Sequence, residues 1–433
     1  MKAITTRILP ILAASLLAAT ARAYTYTVVT DHTNCLYRCG ETATFTVTVM
    51  ETNGVPAAKG TISAKLDNFG PAVQSKTDID LAKENPFRVS GTLSEPGFLR
   101  LELPRATKGM NHFAVAFEPE RIVKGSPRPD DFDEFWDNAV RTLDETVPLD
   151  PQLTLVPERC TDKFQFYRVS FASVNGTRVY GYLSIPNDAS AEKKYPVRFQ
   201  VPAAGNGKAS WTINMKGADD AISMMMTVHP YEPQFDPEEN DKLFKANEAR
   251  LGRGYSCAGM DGERREDYYF YRAILGINRA VNWLAERPEV DLSSFTYSGT
   301  SQGGGFGFYL LGLNRHFTKG ALFVPAITDT MGYRQGRVSG WPRPVETLGG
   351  KAETRAAAER NAPYFDGANF ASRITCPVRV AVGFSDTTCP PCAVYASYNA
   401  IPVADKAIFH GIWMGHGCFG EFYAKLGAWQ KKR

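Results

Sequence analysis

Residues 295–305 read FTYSGTSQGGG, a strand-like run followed by a serine between two glycines. The apolar and aromatic positions before Gly299 predict a buried strand, and residues 302–313 predict a helix. A G-x-S-x-G pattern between a strand and a helix is typical of a sharp turn that raises the central serine, here Ser301, above a sheet. The glycines are needed because such a turn strains the backbone. This stretch therefore predicts an α/β fold with a nucleophilic serine at a strand end.

The motif predicts two partner residues further along the chain. A nucleophilic serine needs a base, and the base needs a carboxylate to orient it; after this kind of turn the acid comes first and the histidine second. Asp386 follows the apolar run 378–382, and only two histidines, His410 and His416, lie downstream of it. His410 abuts a predicted strand, whereas His416 lies in a glycine-rich loop. We expect Asp386 as the acid and His416 as the general base, with His410 as the less favoured alternative.

The oxyanion of an acyl-transfer intermediate needs two backbone donors. One is predicted to be the amide of Gln302, which follows the serine at the start of its helix. The other is expected in the loop after the third strand of the sheet, where residues 199–207 read FQVPAAGNG. We select Gly205 for this role, with an ordinary turn glycine as the alternative.

The residues around these motifs alternate between strand and helix patterns. Two strands followed by repeated strand–helix units predict a mostly parallel, doubly wound sheet. Strands are predicted at 164–172, 179–185, 197–201, 255–258, 295–298, 320–324, 376–382 and 406–409, and helices at 130–145, 267–286, 302–313 and 391–400.

Residues 24–118 follow a different pattern, with short alternating runs separated by Gly, Pro, Asn and Asp. Several short strands without helical periodicity predict a small all-β sandwich domain. Prolines and a glycine between residues 118 and 129 interrupt the pattern, so we expect the α/β domain to span 119–433. The sandwich could bind glycan, contact a partner or shape the entrance of the next domain, and its fold does not decide between these roles.

The first 23 residues resemble a signal peptide. Lys2 and Arg7 precede an apolar run at 8–19, and Ala21-Arg22-Ala23 has the small-x-small pattern of a cleavage site. The run has about half the ~20 residues that a membrane span needs, so a membrane anchor is the less favoured alternative. Removing this segment takes the formal charge from +3 to zero, because it holds three basic and no acidic residues. We expect an exported chain, periplasmic or extracellular, that binds no nucleic acid and has no stable membrane insertion.

Export bears on the eight cysteines, because disulfides persist in oxidising compartments. The pairs Cys35 with Cys39 and Cys389 with Cys392 are close enough for local disulfides, with two free buried cysteines as the alternative for the second pair. The second pair also has thiol-exchange spacing, but that motif normally occurs in a thioredoxin-like setting, so we reject a redox role. The sequence shows no Cys/His cluster at ligand spacing, and we expect neither a metal nor a cofactor.

From about residue 126 to the C-terminus the sequence resembles the acetyl xylan esterase and cephalosporin C deacetylase family of α/β-hydrolases. Four stretches carry the resemblance: RPDDFDEFW at 128–136, residues 268–291, residues 299–304 and DTTCPP at 386–391. It implies a serine esterase acting on acetyl groups of xylan-derived saccharides and on short acyl esters, with Ser301, Asp386 and His416 as the triad. The family's ring-like hexamers leave a homo-oligomer open.

The sequence departs from the family at three places near the predicted site. Ala203-Ala204-Gly205 stands where the family has His-Gly-Tyr, no Arg-Gly-Gln occurs around 257–262, and Gly417 replaces the usual Glu after the base. These departures concern substrate preference more than reaction class.

Three tryptophans in predicted loops are candidates for a sugar-stacking pocket, namely Trp413, Trp211 and Trp341, with ordinary packing as the alternative for each. Trp413 is the first candidate because it lies three residues from His416. We predict an exported serine carbohydrate esterase that removes acetyl groups through an acyl-enzyme. The alternatives are a prolyl oligopeptidase-like exopeptidase and a noncatalytic glycan-binding protein with a relict hydrolase fold.

Overall fold

The structure is a computed structural model that describes residues 24–205, 219–417 and 420–432. The predicted signal peptide at 1–23 and Trp211 lie outside the described residues.

The N-terminal part consists of two small sheets. Alternate residues of strand β3 are buried, as the period-two pattern predicts, and they share a core with the second sheet. The sheets have the orders β1-β3-β6 and β2-β8-β7-β4-β5, and most of their pairs are antiparallel. The strands are β1 (Tyr24–Thr30), β2 (Leu36–Tyr37), β3 (Ala43–Glu51), β4 (Thr61–Asp67), β5 (Val73–Asp80), β6 (Phe87–Gly91), β7 (Gly97–Glu102) and β8 (His112–Phe117). The predicted N-terminal all-β domain is confirmed, and its limit at residue 118 stays a prediction.

The remainder is built on one nine-stranded sheet. Its strands are β9 (Gln152–Leu155), β10 (Phe164–Ala172), β11 (Arg178–Pro186), β12 (Tyr195–Val201), β13 (Ile222–Met226), β14 (Val290–Thr300), β15 (Lys319–Phe323), β16 (Val378–Gly383) and β17 (Lys406–Gly411). The order is β17-β16-β15-β14-β12-β13-β11-β10-β9, parallel from β17 to β13 and antiparallel beyond. The predicted α/β class with a mostly parallel sheet is confirmed.

Helices connect these strands. They are α1 (Phe132–Thr146), α2 (Pro237–Leu251), α3 (Tyr269–Ala285), α4 (Gln302–Leu313), α5 (Pro344–Leu348), α6 (Ala352–Asn361), α7 (Gly367–Ala371), α8 (Pro391–Asn399) and α9 (Gly420–Lys431). None of the helices in the described ranges combines the length and apolar character that a membrane span requires.

The strand predicted at 255–258 is wrong. Tyr255–Cys257 form a single 3-10 turn, and the sheet position next to β12 is filled by β13 instead. Tyr255 is buried by aromatic contacts with His229 and Phe244, at ring-centroid distances of 4.8 and 5.8 Å. A short apolar run cannot distinguish a turn buried by such contacts from a buried strand.

The described cysteines are not joined in disulfides, although the spacing of two pairs permits them. All seven in the described ranges are free, and Cys389 and Cys392 are buried at the start of α8. In this structure Cys389 and Cys392 are thus two free buried cysteines, one of the two alternatives that their spacing left open.

The two parts of the chain share a continuous core and polar contacts. The Val338 amide donates to the Phe69 carbonyl at 2.8 Å. The Asn68 side-chain amide donates to the Gly336 carbonyl at 3.5 Å. Phe98 in β7 packs on Phe384, which directly follows β16, with ring centroids 5.1 Å apart, so the all-β part lies against the carboxyl end of this strand.

Candidate active site

Ser301 occupies the turn between β14 and α4. Its backbone has φ 56° and ψ −118°, a strained conformation for a residue with a side chain. The flanking glycines allow the close approach that this turn needs. A Cβ on Gly299 would lie 2.4 Å from the Gly303 backbone, and one on Gly303 would lie 2.0 Å from the Val201 carbonyl oxygen. The predicted strand–turn–helix context of the motif is therefore present.

Ser301, His416 and Asp386 form one hydrogen-bonded series. His416 Nε2 lies 3.0 Å from Ser301 Oγ, and His416 Nδ1 lies 2.9 Å from Asp386 Oδ2. Asp386 is fully buried, and its Oδ1 accepts the amides of Thr388 and Cys389 at 2.8 and 2.9 Å. Because a carboxylate only accepts, His416 Nδ1 carries the proton and Nε2 is free to accept the serine hydroxyl. The three residues singled out from the sequence are thus brought together.

The alternative base lies elsewhere. His410 is on β17, with its Nε2 2.6 Å from the Tyr395 hydroxyl and its ring 5.0 Å from that of Phe384. Its half-buried imidazole therefore contacts Tyr395 and Phe384, whereas His416 faces Ser301.

Tyr255 links the two residues whose amides are the predicted oxyanion donors. Gln302 begins α4, so its amide has no acceptor within the helix. The Gly205 amide donates to the Tyr255 hydroxyl at 3.1 Å, and that hydroxyl donates to Gln302 Oε1 at 2.7 Å. In this structure the Gly205 amide is thus engaged with Tyr255. Sequence reasoning missed Tyr255, because nothing in its local sequence indicates a contact with a residue 50 positions away.

His229 holds the other side of Gly205. Its Nε2 lies 3.2 Å from the Gly205 carbonyl oxygen, and its Nδ1 lies 2.9 Å from the Tyr269 hydroxyl. A carbonyl only accepts, so Nε2 carries the hydrogen and Nδ1 accepts from Tyr269. Burial lowers the pKa of His229 to about 4, despite the opposing effect of the bond to Gly205. The imidazole is therefore neutral near pH 7, and the sequence did not reveal its contact with Gly205.

Cys389 lies next to Asp386 and His416. The ligand atoms of Asp386, Cys389 and His416 lie within 4.8 Å of one another, but both Asp386 oxygens and His416 Nδ1 already have partners. Burial first, and then the Asp386 carboxylate, raises the pKa of the Cys389 thiol. Burial likewise raises the pKa of Cys392 to about 11. Two protonated thiols favour a structural role over thiol exchange.

The tryptophans differ in their surroundings. Trp413 has φ 58°, and its partly buried ring packs edge-to-face on Phe113 of β8 at 5.5 Å. Trp341 is also partly buried, and its carbonyl accepts the Ile327 amide at 2.6 Å. Their role in sugar stacking stays a prediction, as does that of Trp211.

The sheet topology and the serine turn define an α/β-hydrolase. Acetyl xylan esterases of Paenibacillus sp. R4 and Thermoanaerobacterium sp. JW/SL YS485 have this fold, with TM-scores of 0.61 and 0.60 and identities of 21% and 20%. Each match covers 72% of this chain, and 98% and 96% of the respective solved structures.

The acetyl xylan esterase (AXE1) family matches residues 110–432. This chain belongs to that family and is a carboxylic ester hydrolase, so the resemblance inferred from the sequence is confirmed. The acetyl esterase Axe7A of Xylanibacter ruminicola is 28% identical over 391 residues, 89% of this chain and 85% of that protein. A match of this length extends beyond the family region into the all-β part.

Proposed function

We propose that this protein is an exported esterase that removes acetyl groups from xylan-derived or other acetylated saccharides through an acyl-enzyme on Ser301. The observation that carries the proposal is the series Asp386–His416–Ser301, with distances of 2.9 and 3.0 Å, at the strand–helix turn of an acetyl xylan esterase family member. The proposal of export rests on the pattern of residues 1–23. An exported enzyme meets acetylated polysaccharides that lie outside the cytoplasm.

The reaction has two halves. His416 Nε2 takes the proton of Ser301 as Oγ bonds to the acetyl carbonyl carbon. The imidazolium, stabilised by Asp386, then gives that proton to the sugar oxygen as the ester bond breaks, which releases a free sugar hydroxyl and leaves acetyl-Ser301. Water next gives a proton to His416 and attacks the acetyl carbon. Ser301 leaves with that proton, and acetate is released.

The negative charge on the carbonyl oxygen needs donors fixed before the reaction. The Gln302 amide at the start of α4 is the first, since the helix dipole also favours negative charge there. The Gly205 amide is the second candidate. It donates to the Tyr255 hydroxyl in this structure, and to stabilise the oxyanion it must release that hydroxyl and donate to the oxyanion instead. Substrate needs only a small acyl pocket and an open entrance, which suits several acetylated saccharides.

Acetate release tests the function directly. Wild type and Ser301→Ala are compared on acetylated xylan, other acetylated glycans, an aryl acetate and an aminoacyl arylamide. We expect wild type to release acetate, and Ser301→Ala to fold normally with turnover reduced by at least about 10³-fold. Cleavage of the arylamide without esterase activity, or full activity in Ser301→Ala, would contradict the proposal.

Asp386→Asn tests the orienting carboxylate. The asparagine carbonyl can still accept the amides of Thr388 and Cys389, so the loop should keep its fold. Its NH2 group would donate to His416 Nδ1, so the imidazole would carry its hydrogen on Nε2 instead. A protonated Nε2 cannot accept the hydroxyl hydrogen of Ser301. We expect kcat to fall on the order of 10⁴-fold with little change in thermal stability. A loss below about tenfold would contradict the assigned role.

A further inference from the structure

The all-β part of the chain contacts both loops that carry the candidate triad partners. The first loop, residues 411–417, bears His416, and the second, residues 383–389, bears Asp386. Aromatic and methionine side chains from β7, from β8 and from the connection between them lie against these loops.

Phe113 and Met110 contact the histidine loop. Phe113 in β8 packs on Trp413 with ring centroids 5.5 Å apart and an interplanar angle of 73°. Trp413 has a positive φ of 58°, so this contact stabilises an unfavourable backbone conformation three residues before His416. A Cβ built on Gly415 would lie 3.7 Å from Met110 Sδ, which is ordinary van der Waals contact. Met110 therefore lies directly against the residue that precedes His416.

Phe98 contacts the aspartate loop. This fully buried residue of β7 packs edge-to-face on Phe384 at 5.1 Å, and it lies 5.8 Å from the Tyr395 ring in α8. Phe384 is two residues before Asp386. The side chain from the all-β part thus supports the start of the aspartate loop.

The two loops also bind each other. The Ser385 amide donates to the Met414 carbonyl at 2.9 Å, and the Phe384 amide donates to the Gly411 carbonyl at 3.0 Å. A Cβ on Gly383 would lie 2.6 Å from the Gly415 carbonyl oxygen, so the backbones approach closely. A displacement of one loop is therefore transmitted to the other.

We propose that the N-terminal β-sandwich is a positioning element of the active site, in which Phe113, Met110 and Phe98 hold the His416 and Asp386 loops in register with Ser301. These side chains act through the loops and do not touch the reacting atoms. The inference rests on the proposed function, because it assumes that His416 activates Ser301.

A phosphonylation assay separates positioning from simple stability. A fluorophosphonate forms a bond between phosphorus and Ser301 Oγ, fluoride leaves, and His416 takes the serine proton. The fraction of protein that is finally labelled measures folded sites, whereas the second-order rate measures activation of Ser301. Turnover of a small aryl acetate supplies kcat and KM for the same samples.

We expect Phe113→Leu and Met110→Ala to lower the phosphonylation rate and kcat by roughly tenfold, because a displacement of about 1 Å in a catalytic group costs up to about 100-fold. The labelled fraction and KM should change little. Met110 is partly exposed, so its variant should fold even if Phe113→Leu does not.

Phe45→Leu is the matched control. Phe45 is fully buried in β3, which belongs to the other sheet of the same domain. The Phe45→Leu substitution should lower thermal stability but leave the phosphonylation rate and kcat unchanged well below the melting temperature. Wild-type rates in Phe113→Leu and Met110→Ala would overturn the inference, as would an equal rate loss in Phe45→Leu. If wild type itself is not labelled, the proposed function of Ser301 fails and this inference fails with it.

Discussion

The backbone of Gly205 makes hydrogen bonds with two neutral side chains, Tyr255 and His229. Its amide donates to Tyr255 and its carbonyl accepts from His229, so the loop after β12 is bound on both sides. Gly205 itself has φ +101°, which glycine adopts without strain. Because Tyr255 and His229 are neutral, they add no charge to that of His416 and Asp386 near Ser301. A protonated His229 would add a positive charge there.

The pH dependence of stability follows from His229. Its ordinary pKa is 6.5, and burial lowers this to about 4 in the folded protein. Between these values the unfolded chain binds a proton that the folded chain excludes, so the contribution to stability is present above pH 6.5 and is lost as the pH falls towards 4. We expect the unfolding free energy of wild type to drop between pH 7 and pH 5 by roughly 2 kcal/mol more than that of His229→Gln.

Denaturant unfolding at the two pH values measures this difference. Glutamine can donate to Gly205 and accept from Tyr269, as His229 does, but it does not titrate. Equal pH dependence in the two proteins would show that His229 is not the group responsible.

The sequence was sufficient to predict the residues with a local signature. Ser301 lies in a recognisable turn, and Asp386 and His416 follow it in a known order after later strands. Tyr255 and His229 could not be predicted, because their hydrogen bonds join segments that meet only through tertiary packing. A local sequence pattern predicts the backbone conformation of its own segment, but it does not predict contacts with segments far along the chain.

At the scale of elements, α4 combines a poor helix sequence with tight packing. It begins QGGG, although glycine disfavours helix interiors by about 1 kcal/mol each relative to alanine. Gly303, Gly304 and Gly305 each face backbone atoms that a Cβ would approach to 2.8 Å or less. Close packing against β12 and the segment after β15 therefore outweighs intrinsic propensity here.

Gly303→Ala and Gly427→Ala make a matched pair. A Cβ on Gly303 would lie 2.0 Å from the Val201 carbonyl oxygen, a contact that forces the backbone to move. We expect this variant to lose several kcal/mol of stability, at least about 3, or to fail to fold. Gly427 in α9 has nothing within 4 Å, so alanine there should be neutral or stabilising by up to about 1 kcal/mol.

Soluble yield and denaturant midpoints measure both effects. A Gly303→Ala protein that unfolds at the wild-type midpoint would show that α4 can shift away from β12 at little cost. The pair also controls for helix propensity, because both substitutions replace a helical glycine with alanine.

Two of the elements that the sequence did not predict lack a clear period. Helix α2 reads PEENDKLFKANEARL, with few apolar residues, although Asp236 caps its start by accepting the Glu238 amide at 2.8 Å. Strand β13 reads ISMMM, a short apolar run without alternation. By contrast, β10 and α4 have the bounds that their patterns predict.

At the scale of the whole molecule, the two parts of the chain share one buried core. That core includes Phe45 in the all-β part and Phe308 in α4 without interruption. Polar bonds cross the junction as well, from Val338 to Phe69 and from Asn68 to Gly336. Separate domains joined by a mobile linker would not bury side chains jointly in this way.

We therefore expect the protein to unfold in one cooperative transition. Scanning calorimetry should give a single peak whose calorimetric and van't Hoff enthalpies agree. Phe45→Leu should lower the temperature of esterase inactivation together with that peak, although Phe45 lies in β3 and far along the chain from Ser301. This follows because destabilising one part of a shared core destabilises the whole. Two resolved peaks, with esterase activity retained after the first, would contradict the coupling and would show that the all-β part unfolds alone.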